Sequence, residues 1–181
     1  MVDIRIKKNT REILNENLDR ESPLAHSFIL FAHNIRSMHN VGALFRTSDA
    51  FGIHSLFLSG FTPTPPRPEI SKTALGSEET VSWKKIENPL EEIDSLKHKS
   101  YKIYGLEQTF QSKLLTEFKI QEPEKEQKIC VILGNEVTGI DEVLIDKIDR
   151  FIEIPQFGSK HSLNVSVAAG VLLYAFLEKM N

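Results

Sequence analysis

The chain has 181 residues, 40% hydrophobic and 26% charged, close to soluble globular averages and of a size for one domain. Its formal net charge of −3 excludes a polycation, so any nucleic-acid contact must come from a local basic cluster. The single cysteine, Cys130, excludes an internal disulfide framework and a multi-cysteine metal site, and no apolar run approaches the roughly 20 residues of a membrane span.

The first residues, MVDIRIKKNTREILNENL, are charged throughout and lack the apolar centre of a secretory signal. They read as a basic N-terminal segment over 1–24, and the chain as cytoplasmic, with no membrane association. SFILFAHN (27–34) is a compact apolar run and predicts a buried strand. Val41, Leu44, Phe45 and Ser48 fall at helical spacing, which predicts a helix with Asn40 as its N-cap. SLFLSG (55–60) predicts the next strand. FTPTPPRPE (61–69) reads as an exposed loop, because four prolines remove backbone donors and restrict φ. PLEEIDSLKHK (89–99) predicts an amphipathic helix with proline at its start and lysines at its end. YKIYGLE (101–107) and KICVILGNE (128–136) read as strands, separated by a solvated charged turn at 122–128. A short helix at 139–149, a strand at 151–155 and a long terminal helix beginning near Ser162 complete the chain. Val165, Ala168, Ala169, Leu172 and Phe176 mark one face of that last helix.

Alternation of strand and helix from residue 27 onward predicts an α/β fold, with a mostly parallel sheet covered by helices on both faces. Ligands in such sheets sit beyond the carboxyl ends of the strands. GLEQT (105–109), GNEVTG (134–139) and IPQFGSKHSLN (154–164) fall at such ends. The chain has no G-x-G-x-x-G fingerprint after a strand, no G-x-x-x-x-G-K-[ST] phosphate loop and no G-x-S-x-G elbow. Its six histidines lack i, i+4 partners, and no metal site is expected. Basic clusters stand at Arg5, Lys7, Lys8 and Arg11, at His33, Arg36, His39 and Arg46, and at Arg67 and Lys72.

Three motifs, NVGALFRTSDAFG, ILGNEVTGI and IEIPQFGSKHSLNVSVAAG, occur in this order along the chain. With them the sequence resembles SPOUT-class RNA methyltransferases of the SpoU (TrmH) branch, from about residue 28 to the C-terminus. The resemblance implies one methyltransferase domain over 25–181, a C-terminal trefoil knot, and an S-adenosylmethionine site built from the knot loops. It places Leu106, Gly134, Asn135, Gly139, Ile154 and Leu163 at the cofactor. It implies transfer of the sulfonium methyl to a ribose 2′-hydroxyl of tRNA or rRNA, by a homodimer. Arg46 is then the residue nearest the hydroxyl, with Asn40, Glu136, Ser162 and Asn164 around it. A guanidinium stays protonated at neutral pH, so Arg46 is expected to clamp the adjacent phosphate and stabilise the alkoxide rather than to remove a proton. Gly134 would let backbone approach the ligand closely, and Ile154 and Leu163 would offer apolar surface to an adenine ring.

Each residue also has a plainer structural role. Asn40 could be only a cap. Ser162 could cap the last helix with Asn164 in its first turn. Glu136 could face solvent, and Arg46 could pair with Asp49 at i, i+3. The alternative function is a catalytically silent RNA-binding protein that keeps the knotted fold. A chain of this length is expected to carry no separate RNA-binding domain, which leaves the RNA target open.

Overall fold

The computed structural model describes residues 7–119 and 128–180. The elements in order are α1 (Thr10–Leu18), β1 (Phe28–His33), α2 (Met38–Phe51), β2 (Ser55–Ser59), α3 (Pro68–Ala74), α4 (Ser77–Thr80), β3 (Trp83–Ile86), α5 (Pro89–His98), β4 (Tyr101–Leu106), β5 (Lys113–Leu114), β6 (Lys128–Leu133), α6 (Glu142–Ile145), β7 (Arg150–Glu153) and α7 (Val165–Met180). Every strand pair is parallel, in the order β3-β2-β1-β6-β4-β7-β5.

The central strands are buried on both faces, which is why their sequences are continuous apolar runs rather than alternating ones. Side chains still alternate across the sheet. Phe28, Leu30 and Ala32 join the core beneath α2, α3 and α7, whereas Ile29 and Phe31 join the one beneath α5 and α6. Phe176 fastens α7 to the sheet, with ring centroids 5.2 Å from Phe28 and 5.6 Å from Phe118. Ala169, Leu172, Leu173 and Phe176 are buried, so the predicted apolar face of this helix serves the protomer's own core. Val167, Val171 and Tyr174, at i, i+4 and i+7, face outward. No helix among the described residues is long and apolar enough to cross a membrane.

Several expectations need correction. Residues 10–18 form a helix, opened by a capping box between Asn9 and Glu12. Lys8 and Arg20 both reach Glu16 there, so part of the expected basic face is neutralised within the segment; Arg5 lies outside the described residues. The proline-rich loop ends one residue before Pro68, which opens α3 at a position where a missing N–H costs nothing. β3, β5 and α4 have no counterpart in the sequence reading; β3 buries only one of its four side chains fully and β5 has two residues. The helix expected over 139–149 contracts to Glu142–Ile145. Gly139 is held with φ +74° in a hairpin, and the Asp141 carboxylate is taken by His33 and Asn34 instead of capping the helix. The charged turn at 122–128 lies outside the described residues except for Lys128.

Strand order positions the site. β6 inserts between β1 and β4, with Leu133 level with Ala32 on one side and Leu106 on the other. Leu106 is in turn level with Ile152 of β7. The chain therefore leaves the sheet at four adjacent points, near residues 34, 107, 134 and 154, all at the same edge.

Candidate active site

These exits surround one cavity, open to solvent. Leu106, Glu107 and Gln108 line it from the end of β4; Leu133, Gly134, Asn135, Glu136, Val137 and Gly139 from the end of β6. Glu153, Ile154, Gln156, His161, Ser162, Leu163, Val165 and Ala168 complete it from the path between β7 and α7. All six expected cofactor residues, Leu106, Gly134, Asn135, Gly139, Ile154 and Leu163, are among them.

The β6 exit folds as a tight hairpin. Asn135 and Gly139 exchange both backbone hydrogen bonds, at 2.9 and 3.0 Å. The Asn135 side-chain oxygen accepts from the N–H groups of Val137 and Thr138 inside the turn. A Cβ on Gly134 would collide with the backbone of Gly139 and Ile140. The close approach that requires glycine there is the hairpin's own return strand, while the Gly134 backbone also lines the cavity.

The hairpin is tied to the start of α2. Asn135 Nδ2 donates to the carbonyl of Asn34 at 2.7 Å, and Asn34 Nδ2 donates to Asp141 Oδ2 at 2.8 Å. Buried His33 lies between Ser59 Oγ at 2.7 Å and Asp141 Oδ2 at 3.0 Å. Glu136 sits against the opening of α2. It accepts from the N–H groups of Arg36 (2.9 Å) and Ser37 (3.2 Å) and from Asn40 Nδ2 (2.8 Å). Partial burial is the strongest single influence on this carboxyl and opposes its charge. The donors at Arg36, Asn40 and Ser37 together outweigh burial and hold it below the ordinary carboxylate range.

The N-cap of α2 is Ser37, whose hydroxyl accepts from the N–H of Asn40 at 3.2 Å. Asn40 is therefore not the cap, and its side chain is free to bridge. Its Nδ2 meets Glu136, and its Oδ1 accepts from Asn164 Nδ2 at 2.9 Å. Asn164 is itself the cap of α7: its Oδ1 accepts from the N–H of Ser166 at 2.9 Å, and its carbonyl takes the first helical bond, from Ala168. Ser162 caps nothing and lies exposed on the cavity wall.

Arg46 stands apart. It lies six residues beyond Asn40 on α2, about 9 Å along the axis and about two-thirds of a turn around it. It is exposed, does not line the cavity, and makes no hydrogen bond or ion pair among the described residues. Asp49 accepts from Thr80 Oγ1 instead of pairing with it.

Glu107, Gln108, Gln156 and His161 lie within the two stretches, 105–109 and 154–164, expected at strand ends, although none was named as a site residue; Glu153, at the end of β7, lies outside both.

Residues 27–174 match the SpoU rRNA Methylase family. The chain belongs to this family. It is 32% identical over 168 residues to the tRNA (guanosine(18)-2′-O)-methyltransferase of Aquifex aeolicus, covering 92% of this chain and 73% of that protein. It is 30% identical over 155 residues to the 23S rRNA (guanosine-2′-O-)-methyltransferase RlmB of Coxiella burnetii, covering 86% of this chain and 58% of that one. The AdoMet-bound rRNA methyltransferase of Sinorhizobium meliloti shares the fold, with a TM-score of 0.76 at 22% identity over 87% of this chain and 58% of that one. The chain thus spans well under two thirds of the length of some of its SpoU relatives.

Proposed function

We propose that this SpoU-family chain methylates a ribose 2′-hydroxyl of tRNA or rRNA, with S-adenosylmethionine as the donor. The observation that carries the reading is the convergence of three separated loops, 106–108, 134–139 and 153–163, on one cavity, whose wall residue Glu136 bonds Asn40 and through it Asn164.

The lining fits that donor. Leu106, Leu133, Ile154, Leu163, Val165 and Ala168 supply apolar surface for an adenine ring. Glu107, Glu136 and Glu153 supply carboxylates, and no Lys or Arg among the described residues lines the cavity. An acidic wall suits a ligand carrying a sulfonium and an ammonium, and disfavours ATP or a dinucleotide, whose phosphates need cations or donors. When bound, the donor supplies a methyl group already activated by its positive sulfur.

The protein's share is alignment and charge stabilisation. Glu136, held ionised by its donors, is a poor proton acceptor at neutral pH. It acts by locking Asn40 and the opening turn of α2 against the cavity. Asn164 links that turn to the start of α7, so the ribose would meet a wall whose polar groups are already oriented. Arg46, exposed and unpartnered among the described residues, is available to grip the RNA phosphate and the developing alkoxide with its planar fork. A homodimer packed through the outward face of α7 (Val167, Val171 and Tyr174) would offer the Arg46 of one subunit to the cavity of the other. The trefoil knot belongs to the same reading. Lys72 of α3, which packs beside the opening of α2, adds a cation for RNA.

The deciding experiment incubates the purified protein with isotopically labelled S-adenosylmethionine and total RNA from a strain lacking it. Digestion and mass spectrometry should reveal a labelled 2′-O-methyl nucleoside. RNA bound without any labelled nucleoside would leave the silent RNA-binding alternative standing.

A further inference from the structure

Three strand exits must keep a constant spacing for one cavity to exist, and the residues after β4 contact both of the others. The backbone N–H of Glu107 donates to the carbonyl of Ile152 at 3.0 Å, which anchors this position to β7. Its side chain turns the other way. Oε2 accepts from the N–H of Ile140 at 3.1 Å, and Oε1 from the N–H of Gln108 at 2.9 Å. A Cβ on Gly139 would collide with Glu107 Oε2, so the hairpin glycine leaves the space that the carboxylate fills. Gln108 then extends to the far wall, where its Nε2 donates to the carbonyl of His161 at 3.0 Å across 53 residues of sequence.

We infer that Glu107 and Gln108 act as a clasp that sets the separation of the 134–140 and 154–163 walls, and so are positioning residues for the methyl donor. The inference rests on the reading of the cavity as the donor site. The charge-assisted bond that the carboxylate accepts from the Ile140 N–H restrains the hairpin, and the one it accepts from the Gln108 N–H fixes the carboxylate itself. The amide of Gln108 supplies the only side-chain bond to a main-chain group of the 154–163 path from the β4 exit among the described residues. Loosening either bond should let the walls part without unfolding the sheet, because the strand ends are held by their own ladders.

The test is isothermal titration of S-adenosylmethionine into wild-type protein, Glu107→Gln, Gln108→Leu and the double variant. Glu107→Gln keeps the shape but turns an NH2 toward the N–H of Ile140 or Gln108, leaving a donor unpaired. Its Kd should rise about tenfold or more, the loss expected for one bond to a charged group. Gln108→Leu should weaken the donor several-fold, and the double variant should fall short of the product of the two, as for parts of one device. Glu107→Gln also removes a carboxylate from the cavity wall, so the clasp is read from Gln108→Leu, which changes no charge: in its turnover, KM for the donor should rise while kcat at saturating donor, RNA affinity and melting temperature stay near wild type. Should Glu107→Gln fail to fold, exposed Gln108 carries the same test. Unchanged donor affinity in the folded variants overturns the clasp, as does a loss that only tracks a falling melting temperature. Failure of the wild type to bind S-adenosylmethionine overturns the reading of the cavity, and the clasp with it.

Discussion

Asn164 Nδ2 donates to Asn40 Oδ1 at 2.9 Å, although 124 residues separate the two. One asparagine caps α7, the other stands in the first turn of α2, and their amides join the starts of both helices behind Glu136 of the cavity wall. The two oxygens of this pair have different duties. Asn164 Oδ1 is committed to the α7 cap, which leaves its NH2 for the link to Asn40.

That division separates stability from activity. Asn164→Asp keeps the capping oxygen and loses the amide donor; it should melt near the wild type yet transfer methyl groups poorly. Asn164→Ala loses both and should be destabilised by about 1 kcal/mol, the usual worth of an N-cap. Thermal unfolding and a methyl-transfer assay on both variants check this; equal melting points for the two would contradict the capping role.

Glu136 makes stability depend on pH. Its folded carboxyl titrates below its ordinary value of 4.5. Its contribution is thus complete above that value and disappears as pH falls through the folded one. The melting-temperature gap between wild type and Glu136→Gln should be widest near neutrality and close as the pH falls below the ordinary carboxylate range. A gap that widens on acidification would mean that the carboxyl is stabilised in its neutral form.

Gly134→Ala forces a methyl group into the return strand of the hairpin. Overpacking of this kind costs about 1–3 kcal/mol. Donor binding should be lost more completely than the fold, because the hairpin forms a wall of the cavity while the sheet stays paired. Calorimetric titration beside circular dichroism distinguishes the two effects.

Arg46→Lys leaves the charge and removes the fork. With no partner to lose among the described residues, the fold should be unaffected. Methyl transfer should fall about a hundredfold, the scale for one preorganised donor aimed at developing charge. A lysine variant as active as the wild type would rule out the clamp.

Strands at 28–33, 55–59, 101–106 and 128–133 were legible because a strand buried on both faces must be an apolar run. β3 was not, since an edge strand carrying two exposed lysines has no apolar run to show. The helix after Gly139 shortened because Asp141 answers to His33 and Asn34, more than 100 residues away in sequence. Asn40 illustrates the same limit at the site. Its residue type suits a cap, but Ser37, three residues earlier, already holds that place.

Local chemistry therefore settles which segments are strands, where glycine and asparagine bend the chain, and which polar residues stand just past strand ends. It does not settle which strand end lies beside which. The insertion of β6 between β1 and β4 brings residues 34–40, 107–108, 134–140 and 154–164 to one edge of the sheet. That insertion also leaves Arg46 outside the cavity of its own chain. Strand order is decided by how whole faces bury against one another, a sum over the molecule that no single motif records.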